Sequence, residues 1–176
     1  MVIYLGMQKY KVALFIGRFQ PFHNGHWYSL TKCFELAENV IVGIGSSQES
    51  GTEANHFDFE LRKRMIETLA GVTRKVEVWA IPDVFNDVKW GKMILTLLAE
   101  NNYQVEEVVA VGNNEWTNRI MKQVGIDVYE SGLYNRDELE GIKIRQMMKV
   151  GDERWVKRVP ENIVKLLDKY GLPRKN

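Results

Sequence analysis

The sequence contains very little cysteine, since Cys33 is the only one among its 176 residues. A single cysteine excludes an intramolecular disulfide framework. Cys33 falls in a segment whose apolar spacing predicts a helix, and a free cysteine in such a position usually behaves as a small buried hydrophobe. We therefore interpret Cys33 as a packing residue rather than a reactive thiol.

Net charge and long apolar runs are also lacking. The 24 Lys and Arg residues nearly balance the 23 Asp and Glu residues, which leaves a formal charge of +1. Bulk electrostatics therefore give no reason to expect a nucleic acid or a membrane as a partner. No apolar run approaches the roughly 18 residues that cross a bilayer, and the first residues lack a basic segment followed by a signal-type core. We expect a soluble, cytoplasmic protein.

From Lys11 onward, apolar runs of strand length alternate with segments of helical apolar spacing. The predicted strands are residues 11–16, 39–45, 75–81, 106–112 and a short run at 126–130. This alternation predicts an α/β fold with a doubly wound, Rossmann-like parallel sheet of about five strands and a helical C-terminal segment. Because no repeat or linker interrupts the pattern, residues 11–172 are predicted to form one domain, preceded by an extension, residues 1–10, without a clear pattern.

Segments rich in turn-forming and polar residues follow the predicted strands, and they cover residues 17–26, 45–57, 82–90 and 112–115. Ligands of doubly wound sheets bind beyond the carboxyl ends of the strands, at the point where the strand order reverses. We therefore expect these four segments to converge on one site.

The first of these segments, GRFQPFHNGH from Gly17 to His26, concentrates groups that suit a phosphate. Arg18 offers a planar fork of donors, and Gly25 lets the backbone approach a bulky anion. The segment also leads into a predicted helix, whose N-terminus favours an anion. For His23 and His26 two other interpretations stay open, namely structural histidines and metal ligands, although no nearby side chains complete a ligand set at the usual spacings.

A second segment, residues 133–148, places Arg145 near the start of another predicted helix, after Gly141, Ile142 and Ile144. A cation in that position is unfavourable against the helix dipole unless an anion is bound. The segment therefore favours a phosphate partner. An arginine turned out to solvent is the alternative.

These motifs resemble the signatures of the nucleotidyltransferase superfamily. GRFQPFHNGH is similar to its HxGH signature, and GIKIR, residues 141–145, stands in the place of its second signature. More closely, the chain resembles the archaeal-type nicotinamide mononucleotide (NMN) adenylyltransferases from Lys11 to about Leu172. That likeness includes GIGSSQ after the second predicted strand and YNR, residues 134–136.

The resemblance implies transfer of AMP from ATP to NMN, which gives NAD and pyrophosphate. Mg²⁺ would arrive with ATP, no tightly bound metal site is expected in the protein, and a homo-oligomer is implied. The catalytic residues would be His23, His26, Arg18 and Arg145. Nucleotide binding would fall to Gly17, Phe19, Gly25, Gly112, Asn113, Gly141 and Ile142. Substrate binding would fall to Trp90, Asp83 and Arg136. Trp90 would stack on the nicotinamide ring, with a packed core tryptophan as the alternative.

The chain departs from the family pattern at several positions. Glu140 and Ile142 stand where the second signature usually has hydroxyl side chains, and Ala54 stands where a phosphate-binding arginine is usual. Arg62 matches a family position but is not expected to reach the same spot. Either Lys143 and Arg136 compensate for the missing phosphate contacts, or this chain acts on a somewhat different substrate from NMN.

Two other functions therefore stay open. One is an adenylyl- or cytidylyltransferase that acts on another phosphorylated metabolite. The other is a nucleotide-binding sensor without turnover.

Overall fold

The computed structural model describes residues 9–70, 76–132, 134–135 and 137–171. The predicted residues that lie outside these ranges include residues 1–8 of the extension and Arg136. The strands are β1 (Tyr10–Gly17), β2 (Ala37–Gly45), β3 (Val76–Ile81), β4 (Val108–Val111) and β5 (Asp127–Tyr129). The helices are α1 (Asn24–Leu36), α2 (Phe59–Ala70), α3 (Asp87–Glu100), α4 (Glu115–Gln123), α5 (Gly141–Val150) and α6 (Glu161–Lys169).

The five strands form one sheet in the order β3-β2-β1-β4-β5, and every neighbouring pair is parallel. The chain runs outward from β1 through β2 to β3, then crosses to the other side of β1 for β4 and β5. The strand order therefore reverses between β1 and β4, and the predicted doubly wound fold is confirmed. Tyr10 begins β1 and donates its hydroxyl to Asp127 of β5, so the sheet starts one residue earlier than expected.

The two faces of the sheet build two separate cores. In β1 the side chains alternate, with Ala13 and Phe15 on one face and Val12 and Leu14 on the other. Helices α1, α2, α5 and α6 cover the first face, and α3 and α4 cover the second. Cys33 is buried in the first core, as predicted, and burial raises the pKa of its thiol. Helices on both faces leave the edge at the carboxyl ends of the strands as the place for a ligand.

Among the helices that the structure describes, none is both long enough and apolar enough to cross a membrane.

Candidate active site

A cavity of about 750 Å³ opens at the carboxyl ends of the central strands, where the strand order reverses. The four segments expected to converge all contribute to its wall, although residues 45–57 contribute only Gly45 and Ser46. The predicted site residues that line it are Gly17, Arg18, Phe19, His23, Gly25, His26, Asp83, Trp90, Gly112, Asn113, Gly141, Ile142 and Arg145. The structure therefore brings together every predicted site residue that it describes.

His23 and His26 are held by a reciprocal cap at the start of α1. His23 is the N-cap residue, and its Nδ1 accepts from the backbone N–H of His26 at 3.4 Å. The Nδ1 of His26 accepts from the backbone N–H of His23 at 3.2 Å. This is a capping box built from two imidazoles, which explains the spacing of three residues. The capping box also places the start of α1 at Asn24. This is three residues before Trp27, at which the apolar stripe of the helix begins.

The cap fixes the protonation pattern of both rings. Because each Nδ1 is an acceptor, a neutral ring must carry its proton on Nε2. Burial lowers the pKa of His23 to about 4, and burial together with His23 holds the pKa of His26 well below its usual value. The rings stack with centroids 3.6 Å apart. At neutral pH the site therefore presents two neutral, oriented N–H donors.

Gly25 makes room for this arrangement. A Cβ atom on Gly25 would lie 3.1 Å from both Cε1 and Nδ1 of His23. The glycine therefore lets the His23 ring fold back onto the helix, in addition to the close anion approach expected from the sequence.

We expect the stability of the protein to fall as the pH falls from about 6.5 to about 4. An unfolded histidine titrates near 6.5, whereas folded His23 titrates near 4. Between these values the unfolded chain binds the proton more readily, so protonation favours unfolding. At about 1.4 kcal/mol per pKa unit, His23 should account for a loss of about 2 kcal/mol between pH 7.5 and pH 5 in urea unfolding.

His23→Asn is the matched control for this pH dependence, because asparagine is a good N-cap residue that does not titrate. The pH-dependent loss should be smaller in that variant by about the same 2 kcal/mol. Equal losses in both proteins would contradict the titration assigned to His23.

Two arginines face the same cavity from distant parts of the chain. Arg145 is the fifth residue of α5, near its start as predicted, and donates to the carbonyl oxygens of Gln20 at 2.7 Å and Glu53 at 2.9 Å. It lines the cavity, so the alternative of an arginine turned out to solvent is wrong. Burial and the nearby charge of Arg18 lower its pKa. An anion bound between the two guanidinium groups would relieve this repulsion.

Arg62 is a residue whose role the sequence did not predict. It is fully buried and donates five hydrogen bonds, all to backbone carbonyl oxygens. The acceptors are Arg18, Gly45, Ser46, Glu49 and Asp58. Arg62 thus ties the ends of β1 and β2 together beneath the cavity and does not line it. Its position on the buried stripe of α2, with Met65, Ile66 and Leu69, was the available signal.

Several predicted binding residues also have structural contacts. Phe19 is 1% exposed and packs against Phe15 and Phe22. The side-chain amide of Asn113 holds Ser131 and Gly132. Its Nδ2 donates to the hydroxyl of Ser131 and to the carbonyl oxygen of Gly132, and its Oδ1 accepts from the backbone N–H of Gly132. Both residues line the cavity and support its wall, and their contact with a nucleotide stays a prediction.

Trp90 is 3% exposed and belongs to the second core, as the alternative interpretation expected. Trp116, which was not among the residues predicted from the sequence, lies next to Trp90 on the cavity wall and is 41% exposed. The sequence feature that could have indicated Trp116 is its position just after the fourth predicted strand.

The residues that depart from the family pattern do not supply a replacement cation. Glu140 lines the cavity and lies 3.8 Å from the ammonium of Lys143. Lys143 donates to the carbonyl oxygen of Asp137 and is not part of the cavity wall. Ala54 lies in an exposed part of its loop, outside the wall. Compensation by Arg136 concerns a residue outside the described part of the chain.

Within the ranges that the structure describes, no group of three or more His, Cys, Asp or Glu side chains is arranged to hold a metal ion.

Comparison with known proteins agrees with this geometry. Residues 14–149 match the family model described as cytidylyltransferase-like, and the chain belongs to that family of nucleotidyltransferases. Within it, the chain is similar to archaeal proteins named nicotinamide-nucleotide adenylyltransferase. The protein of Haloarcula marismortui is 32% identical over 92% of this chain and 84% of its own length. That of Archaeoglobus fulgidus is 30% identical over 88% of this chain and 89% of its own length.

A solved structure shares the fold. It is a bifunctional NMN adenylyltransferase/ADP ribose pyrophosphatase from Francisella tularensis, complexed with AMP and a Mn ion. It matches with a TM-score of 0.72 and 26% identity over 90% of this chain. The match covers 49% of that protein, so the present chain spans about half of its length.

Proposed function

We propose that this protein is a nicotinamide-nucleotide adenylyltransferase that transfers AMP from ATP to NMN, giving NAD and pyrophosphate. The observation that carries the proposal is the meeting of the capped His23–His26 pair with Arg18 and Arg145 in one cavity at the switch point of the sheet. The names of the archaeal relatives support NMN and ATP as the two nucleotides.

The reaction needs no protein base. An oxygen of the NMN phosphate forms a bond to the α-phosphorus of ATP, and the bond from that phosphorus to the bridging oxygen of the β-phosphate breaks. The nucleophile is already an anion, so the protein has to align the phosphates and stabilise charge on the leaving pyrophosphate. Alignment supplies on the order of 7–11 kcal/mol in such reactions.

The side chains divide this work. The Nε2–H donors of His23 and His26 face the polyphosphate, and each oriented donor contributes about 2.7–4 kcal/mol to the transition state, by analogy with oxyanion holes. Arg18 and Arg145 hold the outer phosphates, where a planar guanidinium can donate twice. When bound together with ATP, Mg²⁺ would supply further neutralisation of the phosphate charge.

The proposal is tested with purified protein, MgATP and NMN, by following NAD and pyrophosphate together. We expect the two products in equal amounts. If no NAD forms at any enzyme concentration, although circular dichroism shows that the protein is folded, the proposal is refuted.

The homo-oligomer and the cytoplasmic location both stay predictions. Light scattering on the same sample tests the oligomeric state, and fractionation of the source cells tests the location.

A second function is favoured by the missing cation and hydroxyl groups at Ala54, Glu140 and Ile142. With these substitutions the cavity could take another phosphorylated acceptor. ATP and CTP are therefore assayed against NMN, nicotinate mononucleotide, phosphopantetheine and glycerol phosphate. Faster turnover of any other pair than of ATP with NMN would establish this second function.

A further inference from the structure

Arg145 is held in the cavity by two backbone carbonyl groups that come from different loops. Its Nη1 donates to the carbonyl oxygen of Gln20 at 2.7 Å, and its Nε donates to that of Glu53 at 2.9 Å. Because Arg145 and Arg18 both face the cavity, their like charges repel each other. The partial negative charge of the two carbonyl oxygens opposes this repulsion. The direction of the Arg145 side chain therefore depends on what fixes the two carbonyl groups.

The side chain of Gln20 joins its own segment, residues 17–26, to the loop that carries Glu53. Gln20 is 4% exposed, and its amide pairs with both backbone groups of Phe57. The Nε2 group donates to the carbonyl oxygen of Phe57 at 2.8 Å, and Oε1 accepts from the backbone N–H of Phe57 at 2.8 Å. Phe57 is also buried, so water is a poor substitute for this amide.

A closed turn carries this attachment from Phe57 to Glu53. The hydroxyl of Thr52 accepts from the backbone N–H of Asn55 at 2.9 Å, and the N–H of Thr52 donates to the carbonyl oxygen of Asn55 at 3.2 Å. Glu53 lies inside this turn, which ends two residues before Phe57. The carbonyl group of Glu53 is therefore placed by the same contact that the Gln20 side chain makes.

The start of α5 lies directly against the carbonyl group of Gln20. A Cβ atom on Gly141 would lie 3.1 Å from this oxygen and 3.2 Å from Nη1 of Arg145. The glycine therefore lets the guanidinium reach the carbonyl oxygen beside its own helix. Among the described residues none accepts from Nη2 of Arg145, so this group is the donor available to a phosphate oxygen.

We propose that Gln20 is a positioning residue that acts through Arg145. Its carbonyl oxygen orients the guanidinium directly, and its side-chain amide places the second carbonyl group, that of Glu53, through Phe57. This inference rests on the proposed function, in which Arg145 holds an outer phosphate of ATP. A guanidinium that is oriented in advance loses less rotamer entropy when the phosphate binds.

Gln20→Met tests this role, because methionine is similar in length to glutamine and cannot pair with the backbone of Phe57. With Arg145 no longer oriented, the KM and Kd for ATP should rise about 10-fold, the low end of the loss expected for one hydrogen bond to a charged group. The kcat should stay within about threefold of wild type, since a contact made in both the ground state and the transition state changes mainly KM.

Gln48→Met is the matched control. Gln48 also pairs through its amide with both backbone groups of one residue, Asp83, at 3.1 Å and 3.5 Å. It is exposed, does not line the cavity and has no contact with the Arg145 clamp. The KM and Kd for ATP should stay within twofold of wild type in this variant.

A double-mutant cycle separates positioning from a general loss of structure. If Gln20 acts through Arg145, adding Gln20→Met to Arg145→Ala should change the Kd for ATP by less than twofold, whereas independent effects would multiply. Thr52→Val provides a second cycle at an exposed position, for the case that Gln20→Met does not fold. It removes the hydroxyl that closes the turn around Glu53, so the Kd for ATP should rise about threefold in wild type and not in Arg145→Ala.

Calorimetry of MgATP binding keeps this inference apart from the proposed function. Weaker binding that disappears in the Arg145→Ala background supports Gln20 even if wild type forms no NAD, an outcome that refutes only the proposed reaction. The role of Gln20 would be overturned by an unchanged Kd in Gln20→Met, or in Thr52→Val if Gln20→Met does not fold. Effects that multiply in the double variant, an equal rise in Gln48→Met, or no ATP binding by wild type would also overturn it.

Discussion

Replacing His26 by alanine is expected to lower kcat for NAD formation by about 10²–10³, the loss typical of one oriented transition-state donor. The ring of His26 is directed by its own Nδ1, which accepts from the backbone N–H of His23. Its Nε2–H therefore needs no protonation to donate to the developing charge. The KM for ATP should change much less, because the donor acts mainly on the transition state.

His56→Ala is the control for this variant, since His56 is the remaining histidine of the chain, is exposed and does not line the cavity. Its kcat should stay within twofold of wild type. His26→Ala removes the acceptor for the backbone N–H of His23, which is one half of the capping box, and this costs about 1 kcal/mol of stability. Both variants are therefore assayed well below their unfolding temperatures. An unchanged kcat in His26→Ala would remove His26 from catalysis.

The sheet and the place of the site could be predicted from the sequence because both depend on local patterns. A strand such as β1, buried on both faces, is continuously apolar, and the turn that follows it must lie at the carboxyl edge. The two histidines three residues apart fit one helix start, so their proximity needed no tertiary information. Arg145 could be placed beside the two histidines from topology alone, because α5 begins at the same edge of the sheet.

What could not be predicted depends on which atoms the side chains contact. Asn113 spends its amide on Ser131 and Gly132, and Arg62 bonds only to carbonyl oxygens, which leave no mark in the sequence. Trp90 is buried and Trp116 is partly exposed, because α3 turns one indole into the second core and α4 leaves the other on the cavity wall. Such contacts follow from helix rotation and packing, which apolar spacing fixes only approximately.

Replacing Arg62 by alanine is expected to lower the free energy of unfolding by about 3–5 kcal/mol, a large part of the 5–15 kcal/mol typical of a domain. Arg62 is 0% exposed, so alanine leaves both a cavity and several carbonyl oxygens without their donor. A hydrogen bond to a charged group is worth about 1.5–3 kcal/mol, and the five bonds here share one group and do not add. Urea unfolding at pH 7.5 measures the loss.

The same substitution should loosen the cavity before it unfolds the domain, because Arg62 holds the carbonyl groups of Arg18 and Gly45 at the ends of β1 and β2. Hydrogen exchange is expected to increase first in residues 45–58. Arg64→Ala is the matched control, since Arg64 lies on the same helix and is exposed. Arg62→Lys keeps the charge with a single ammonium group that cannot replace the planar fork, so its stability should fall between wild type and Arg62→Ala. If Arg62→Ala were as stable as Arg64→Ala, the carbonyl contacts would not be what holds the two strand ends together.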